Sequence, residues 1–176
     1  MKKKIKIVSM AALACSMASL CAVAAEDAKP AADSAKEFVD GRWRLKDGTP
    51  TYKMGEAGAV DWASWQGFRR YHDACHVCHG PNANGSTFAP ALADSLKTMD
   101  YTTFMQVVAS GREAERGGTK YVMPAFGSNR DVMCYIDDIY TYIKARSDNA
   151  APPGRPPGRA DISDVAKKAA KECIGE

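Results

Sequence analysis

Histidine is scarce in this chain of 176 residues: there are three, His72, His76 and His79, all inside one eight-residue stretch. Cysteine pairs are scarcer still. Cys75 and Cys78 form the one C-x-x-C spacing, and no second pair completes a four-ligand zinc site. No apolar run approaches the roughly 20 strongly apolar residues that a membrane span requires. The longest, residues 7–23, is interrupted by Ser9, Ser16 and Ser19 and follows four lysines within the first six residues. That pattern predicts a secretory leader, residues 1–25, with small residues at Ala22, Ala24 and Ala25 for cleavage. Cys15 and Cys21 leave a lipid anchor as the alternative, although neither follows a convincing Leu-x-small approach and both depart with the leader. A surplus of positive charge is missing too. Removing residues 1–25 takes away four lysines and no acid, leaving 20 basic against 21 acidic side chains. This excludes a nucleic-acid partner held by a basic surface. The remaining residues, roughly 150, make one ordinary domain.

The histidines that are present stand in an informative order. Cys75-His76-Val77-Cys78-His79 is a C-x-x-C-H run, whose physical meaning is covalent attachment of a c-type haem. Each thiol adds to one vinyl group of the porphyrin, and the histidine that follows reaches the iron. A thioredoxin-like dithiol is the competing reading, weakened by the lack of a βαβ pattern around the motif. His76, between the cysteines, points away from the iron. His72 shares a helical side with His79, but the porphyrin plane separates it from the opposite coordination position.

An exported chain meets an oxidising compartment, here the periplasm, so the two leftover thiols, Cys134 and Cys173, are expected to pair. The loop closed would be worth roughly 3 to 4 kcal/mol. Two separate buried thiols are the alternative. Residues 26–39, alanine-rich and charged, read as a mobile lead-in within an N-terminal extension, 26–60. Asp47-Gly48 marks a small hairpin between 41 and 52, with Pro50 confining it to an edge. Asp61 is placed to cap a helix whose Trp62, Trp65, Phe68 and Tyr71 recur at helical spacing, a stripe read as core packing. Residues 80–92 are a loop. Asp100 caps a second helix that Gly111 ends, a further loop runs to Phe126, and one helix covers 130–145. Residues 151–158, rich in Pro and Gly, predict a stiff spacer, and 161–174 a last short helix.

This order of parts resembles a class I cytochrome c over residues 62–146, and the resemblance implies an all-α fold packed around one haem. Its haem domain would be 61–147, followed by a proline-rich spacer and tail helix, 148–176. In that family the sixth ligand is a methionine well after the haem motif, and Tyr121-Val122-Met123-Pro124-Ala125-Phe126-Gly127 is the matching segment. The resemblance therefore implies His79 and Met123 as axial ligands, ahead of Met54, Met99, Met105 and Met133. It implies a haem pocket including Pro90 and Phe126, with the Pro90 carbonyl accepting from His79, and Gly67 admitting the last helix at Tyr142. Val132-Met133-Cys134-Tyr135-Ile136-Asp137-Asp138-Ile139-Tyr140 further resembles the four-cysteine cytochromes c of bacterial methanol metabolism, similar to cytochrome c(L).

The expected protein is a diffusible one-electron carrier and not an enzyme, a monomer with no membrane span once the leader is cleaved, and the closer resemblance implies its redox partners. Its donor would be a pyrroloquinoline-quinone methanol or alcohol dehydrogenase, notably the lanthanide-dependent type, and its acceptor a downstream cytochrome c or terminal oxidase. A haem enzyme or gas sensor with an open sixth position is the alternative. Segments 87–91 and 122–126 are expected to frame the electron-transfer patch. Arg69, Arg70, Arg112, Arg116 and Lys120 would form a positive rim, or else solvated charges offset by Glu113 and Glu115.

Overall fold

A computed structural model describes residues 36–175, so the leader expected over 1–25 lies outside the described residues. The first element is a strand, and the sheet it opens amends the all-α expectation. Strands β1 (Lys36–Val39), β2 (Arg42–Leu45) and β3 (Pro50–Thr51) form an antiparallel sheet in that order. Part of the expected lead-in is thus paired: Val39 faces Arg42 across Asp40-Gly41, whose positive φ values of 52° and 77° suit a two-residue hairpin turn. The hairpin at Asp47-Gly48 follows, and Pro50, with no N–H to offer, lies on the outer strand β3.

Helix α1 (Trp62–Ala74) starts where Asp61 accepts from the Ser64 amide at 3.0 Å and the Ser64 hydroxyl at 2.7 Å. Its aromatic stripe is divided: Tyr71 lies in the core and Phe68 packs against it, but the two tryptophans do not. The buried positions are Ala63, Ser64, Gln66, Gly67 and Tyr71, while Trp62 and Trp65 stay half-exposed. Those two rings are covered by cations from the proline-rich segment, Arg159 over Trp62 and Arg155 over Trp65, each 4.9 Å from the ring centre. That segment is therefore no free spacer. It runs back beside the start of α1, tied by Val60 N–H to Gly158 O (3.1 Å) and Ala160 N–H to Val60 O (2.9 Å).

After α2 (His76–His79) and the short α3 (Leu92–Ser95) comes α4 (Tyr101–Ser110), capped by Asp100 and ended at Gly111. The stretch expected to loop onward to Phe126 is instead a hairpin, β4 (Arg112–Arg116) and β5 (Thr119–Met123), turning on Gly117-Gly118. The helix expected over 130–145 is broken at Cys134-Tyr135 into α5 (Arg130–Met133) and α6 (Ile136–Ser147). Helix α7 (Asp164–Ile174) closes the chain, capped by Ser163.

The core lies where α1, α4 and α6 meet, around Tyr71, Phe104, Ile139, Tyr140, Tyr142 and Ile143. Helices α1 and α6 cross at Gly67, where an added Cβ would lie 1.8 Å from the carbonyl oxygen of Asp138. The sheet is fastened to the start of α6. Arg42 pairs with Asp138 through both carboxylate oxygens (2.6 and 3.1 Å), and Arg44 reaches Asp137 at 2.6 Å. The Tyr101 hydroxyl donates to the other oxygen of Asp137, tying α4 to the same point. Cys134 and Cys173 are joined in a disulfide, Cα atoms 5.7 Å apart, which holds α7 against α5.

Candidate haem attachment site

The haem motif sits on a corner between two helices. Cys75 ends α1, its amide donating to Tyr71 O at 2.8 Å, and also begins α2, its carbonyl accepting from His79 N–H at 3.0 Å. One helical turn separates the two thiols, so Cys75 and Cys78 fall on one side of the turn. Cys75 is half-buried against the core beside Ala74, and Cys78 is exposed. Burial, and then the nearby Cys78, pushes the Cys75 thiol up to about 12. A disulfide oxidoreductase needs the reverse, a depressed thiol, so the arrangement argues against the dithiol reading.

His79 is 6% exposed and its ring is oriented by a single bond, Nδ1 to the carbonyl oxygen of Pro90 at 2.9 Å. A carbonyl only accepts, so Nδ1 carries the hydrogen and Nε2 keeps its lone pair. Burial lowers the proton affinity of the ring below that of ordinary imidazole, with the Pro90 bond opposing. The result is a neutral imidazole with one nitrogen ready for a metal, oriented by an outer partner as metal-bound histidines are. The supporting loop is closed by Gly85 N–H to His79 O (2.8 Å), Ser86 Oγ to Cys78 O (2.5 Å) and Ala93 N–H to Ala83 O (3.0 Å). The buried Tyr71 hydroxyl donates to Gly80 O, anchoring the far side of the corner.

The other histidines are engaged on α1. His72 Nδ1 meets Phe68 O at 2.7 Å and His76 Nδ1 meets His72 O at 2.5 Å, with their rings stacked 5.3 Å apart. Among the described residues no three His, Cys, Asp or Glu side chains converge on a bare metal ion.

Met123 is the last residue of β5, half-buried at the edge of the same apolar cluster that Cys75, Leu92, Met99, Met105 and Phe126 border. The loop after it is bound to the end of α4 by Phe126 N–H to Val108 O (3.0 Å) and Gly127 N–H to Ala109 O (2.9 Å). These bonds satisfy carbonyls that a helix C-terminus leaves unpaired. The strand delivering Met123 was missed in the sequence, although Gly117-Gly118 between two short runs is a hairpin signal. Tyr71 as an anchor left no signal beyond its helical spacing. A neutral imidazole beside two free thiols, with an apolar rim that Met123 borders, suits a covalently held haem and no hard cation.

The family model for cytochrome c oxidase, cbb3-type, subunit III matches residues 65–143, the span from α1 to near the end of α6. Together with the relatives below, it shows that the chain belongs to the c-type cytochromes, proteins that carry covalently bound haem c. Cytochrome c-553I of Paracoccus denitrificans is 53% identical over 125 residues, 71% of this chain and 55% of that protein. The chain thus spans little more than half the length of this relative. Cytochrome c-555 of Methylococcus capsulatus (strain ATCC 33009 / NCIMB 11132 / Bath) is 43% identical over 96 residues, 54% of this chain and 72% of that one. The crystal structure of the c-type cytochrome XoxG from Methylobacterium extorquens AM1 matches with a TM-score of 0.72 at 45% identity, covering 79% of this chain and 85% of that one.

Proposed function

We propose that this chain is a periplasmic one-electron carrier with a single haem c bonded through Cys75 and Cys78 and ligated by His79 and Met123. Bound haem supplies a ferric/ferrous couple, whose potential a thioether ligand raises. The observation that carries the reading is the orientation of His79, buried, neutral and fixed on the Pro90 carbonyl with Nε2 unused. The protein's own part is to hold two axial donors on well-tied segments. His79 is seated on α2 and the 80–91 loop, and Met123 on a strand whose following loop is bonded to α4. Donors that stay in place in both oxidation states keep reorganisation small, which serves transfer and does not serve substrate binding.

Large apolar side chains stand exposed around this site: Val77 (73%), Phe88 (69%) and Val122 (61%). Phe88 and Val122 belong to the two segments expected to frame an electron-transfer patch. A small apolar contact of this kind suits partners that must release quickly. The expected positive rim is partly neutralised: Lys120 pairs with Glu113 at 2.9 Å and Arg70 with Asp131 at 3.1 Å. Weak steering and a shallow salt dependence follow. Among the described residues no helix is long and apolar enough to cross a membrane.

The donor in this reading is a pyrroloquinoline-quinone methanol or alcohol dehydrogenase, notably of the lanthanide-dependent type, and the acceptor a further cytochrome c or terminal oxidase. Support comes from the sequence resemblance to methanol-metabolism cytochromes and the similarity to cytochrome c-553I and XoxG. The test is to mix oxidised holoprotein with such a dehydrogenase and its alcohol and to follow haem reduction, then to add carbon monoxide to the reduced protein. Fast reduction without carbon monoxide binding is expected. Absence of reduction removes the donor assignment, and rapid carbon monoxide binding replaces the carrier with an open-iron protein.

A further inference from the structure

The β4–β5 hairpin carries more than Met123. Its register sets Arg112 opposite Met123, Ala114 opposite Tyr121 and Arg116 opposite Thr119, and by strand alternation these six share one face. The middle of that face rests against the protein, since Ala114, Tyr121 and Met123 are half-buried, while Arg112, Arg116 and Thr119 at its margins are exposed, as are Glu113, Glu115, Lys120 and Val122 on the reverse. Charge is sorted in the same way. Both carboxylates stand on the reverse, where Glu113 holds Lys120, and both arginines stand on the Met123 side.

Among the described residues neither Arg112 nor Arg116 has a carboxylate partner; Arg116 lies over the Tyr121 ring, 5.9 Å from its centre. The neighbouring elements offer no anion, because α4 and residues 124–129 contain no Asp or Glu. The backbone holds Arg112 where it is. Gly111, at φ +76°, lies so close to the ligand segment that a Cβ there would stand 2.6 Å from Met123 O and 2.9 Å from Ala125 N.

We propose that Arg112 pairs with a propionate carboxylate of the bound haem, positioning the cofactor's acidic edge and raising its potential. The inference rests on the reading of Met123 as an iron ligand. Haem carries two carboxylates, and a guanidinium on the ligand's own sheet face meets one with a planar fork of donors. A fixed positive charge there favours the reduced, less positive iron. Arg116 provides an internal control, with the same charge on the same face but about 13 Å farther along the strand.

The test compares reduction potentials of the holoproteins Arg112→Gln, Arg112→Lys and Arg116→Gln at one pH and ionic strength. In R112Q the ferrous-to-ferric ratio at a fixed ambient potential falls about tenfold, which is about 59 mV for a one-electron couple. R116Q stays within about twofold of wild type and R112K within about threefold, because lysine keeps the charge without the fork. Equal shifts in the two glutamine variants overturn the pairing, as does an unchanged potential in R112Q. So does R112Q that keeps its potential but takes electrons from the dehydrogenase more slowly, which would make Arg112 a docking residue. The far-red band of the ferric protein reports the methionine–iron bond. Its absence from wild type defeats the Met123 reading itself, a result distinct from failure of the arginine. If only R112Q loses the band, R112K decides: band and potential both kept supports the pairing, and a potential as low as that of R112Q overturns it.

Discussion

Replacing Gly67 with alanine puts a methyl group into the crossing of α1 and α6. The added Cβ would stand 1.8 Å from Asp138 O, 2.5 Å from its carbonyl carbon and 2.9 Å from Tyr142 Cβ, and the first two of these are backbone atoms that no rotamer change moves. Reaching an ordinary contact of 3.4 Å requires the helices to part there by more than an ångström. Overpacking of this sort costs about 1–3 kcal/mol, and the better helix propensity of alanine returns at most about 1. The displaced carbonyl belongs to Asp138, whose carboxylate holds Arg42 and so the sheet, and disrupting a buried pair adds up to about 3–5 kcal/mol. A net loss of about 3 kcal/mol or more is expected, which lowers Tm by roughly 6–12 °C for a chain of this size. The assay is thermal and urea unfolding of the holoprotein, followed at the haem and in the far-ultraviolet. A variant within about 0.5 kcal/mol of wild type would refute the claim that this crossing is closed by backbone contact.

Three-quarters of the way along the chain, the Cys134–Cys173 disulfide closes 39 residues, so C134S/C173S is expected to lose about 3 kcal/mol in urea unfolding while keeping its haem spectrum. An altered spectrum would mean that the bridge also supports the ligand loop. A pH dependence follows from Asp138, whose carboxyl burial pushes up to about 6 despite Arg42. The folded state then binds this proton more tightly than the unfolded chain, so its contribution is present below about pH 4 and is lost as pH rises through about 6. Stability should fall across that window by an amount on the order of 2 kcal/mol, and D138N should flatten the slope. Asp47, Asp100 and Asp164, held low by bonds from Thr49, Thr103 and Lys167, act in the opposite sense at more acid pH. A rise in stability from pH 4 to 6 would count against the assignment.

Much of the site was legible because its chemistry is written in contiguous residues. The C-x-x-C-H run and the caps at Asp61 and Asp100 depend on spacing along the chain, which short-range geometry preserves, whereas the Met-Pro segment and the glycine at 67 were implied by the family resemblance. The hairpin before Met123 was not read, because its strands are exposed and charged and carry little apolar alternation; their pairing rests on the Gly117-Gly118 turn. The roles of Trp62 and Trp65 were misjudged for a related reason. Their helical spacing is equally compatible with core and surface, and only the return of residues 151–160 beside α1 settles that arginines cover them.

The order of residues by itself determined the covalent chemistry, the class of cofactor and the main helices, since each is a property of neighbours within a turn or two of chain. Tertiary structure alone decided which face of the hairpin holds its arginines and how the sheet is locked to α6 through Arg42 and Asp138, and it supplies the His79–Pro90 bond that the family resemblance implied. Those outcomes depend on partners 11 to 96 residues apart. Local propensity carries no record of such distances; packing and the pairing of buried charge and hydrogen bonds do.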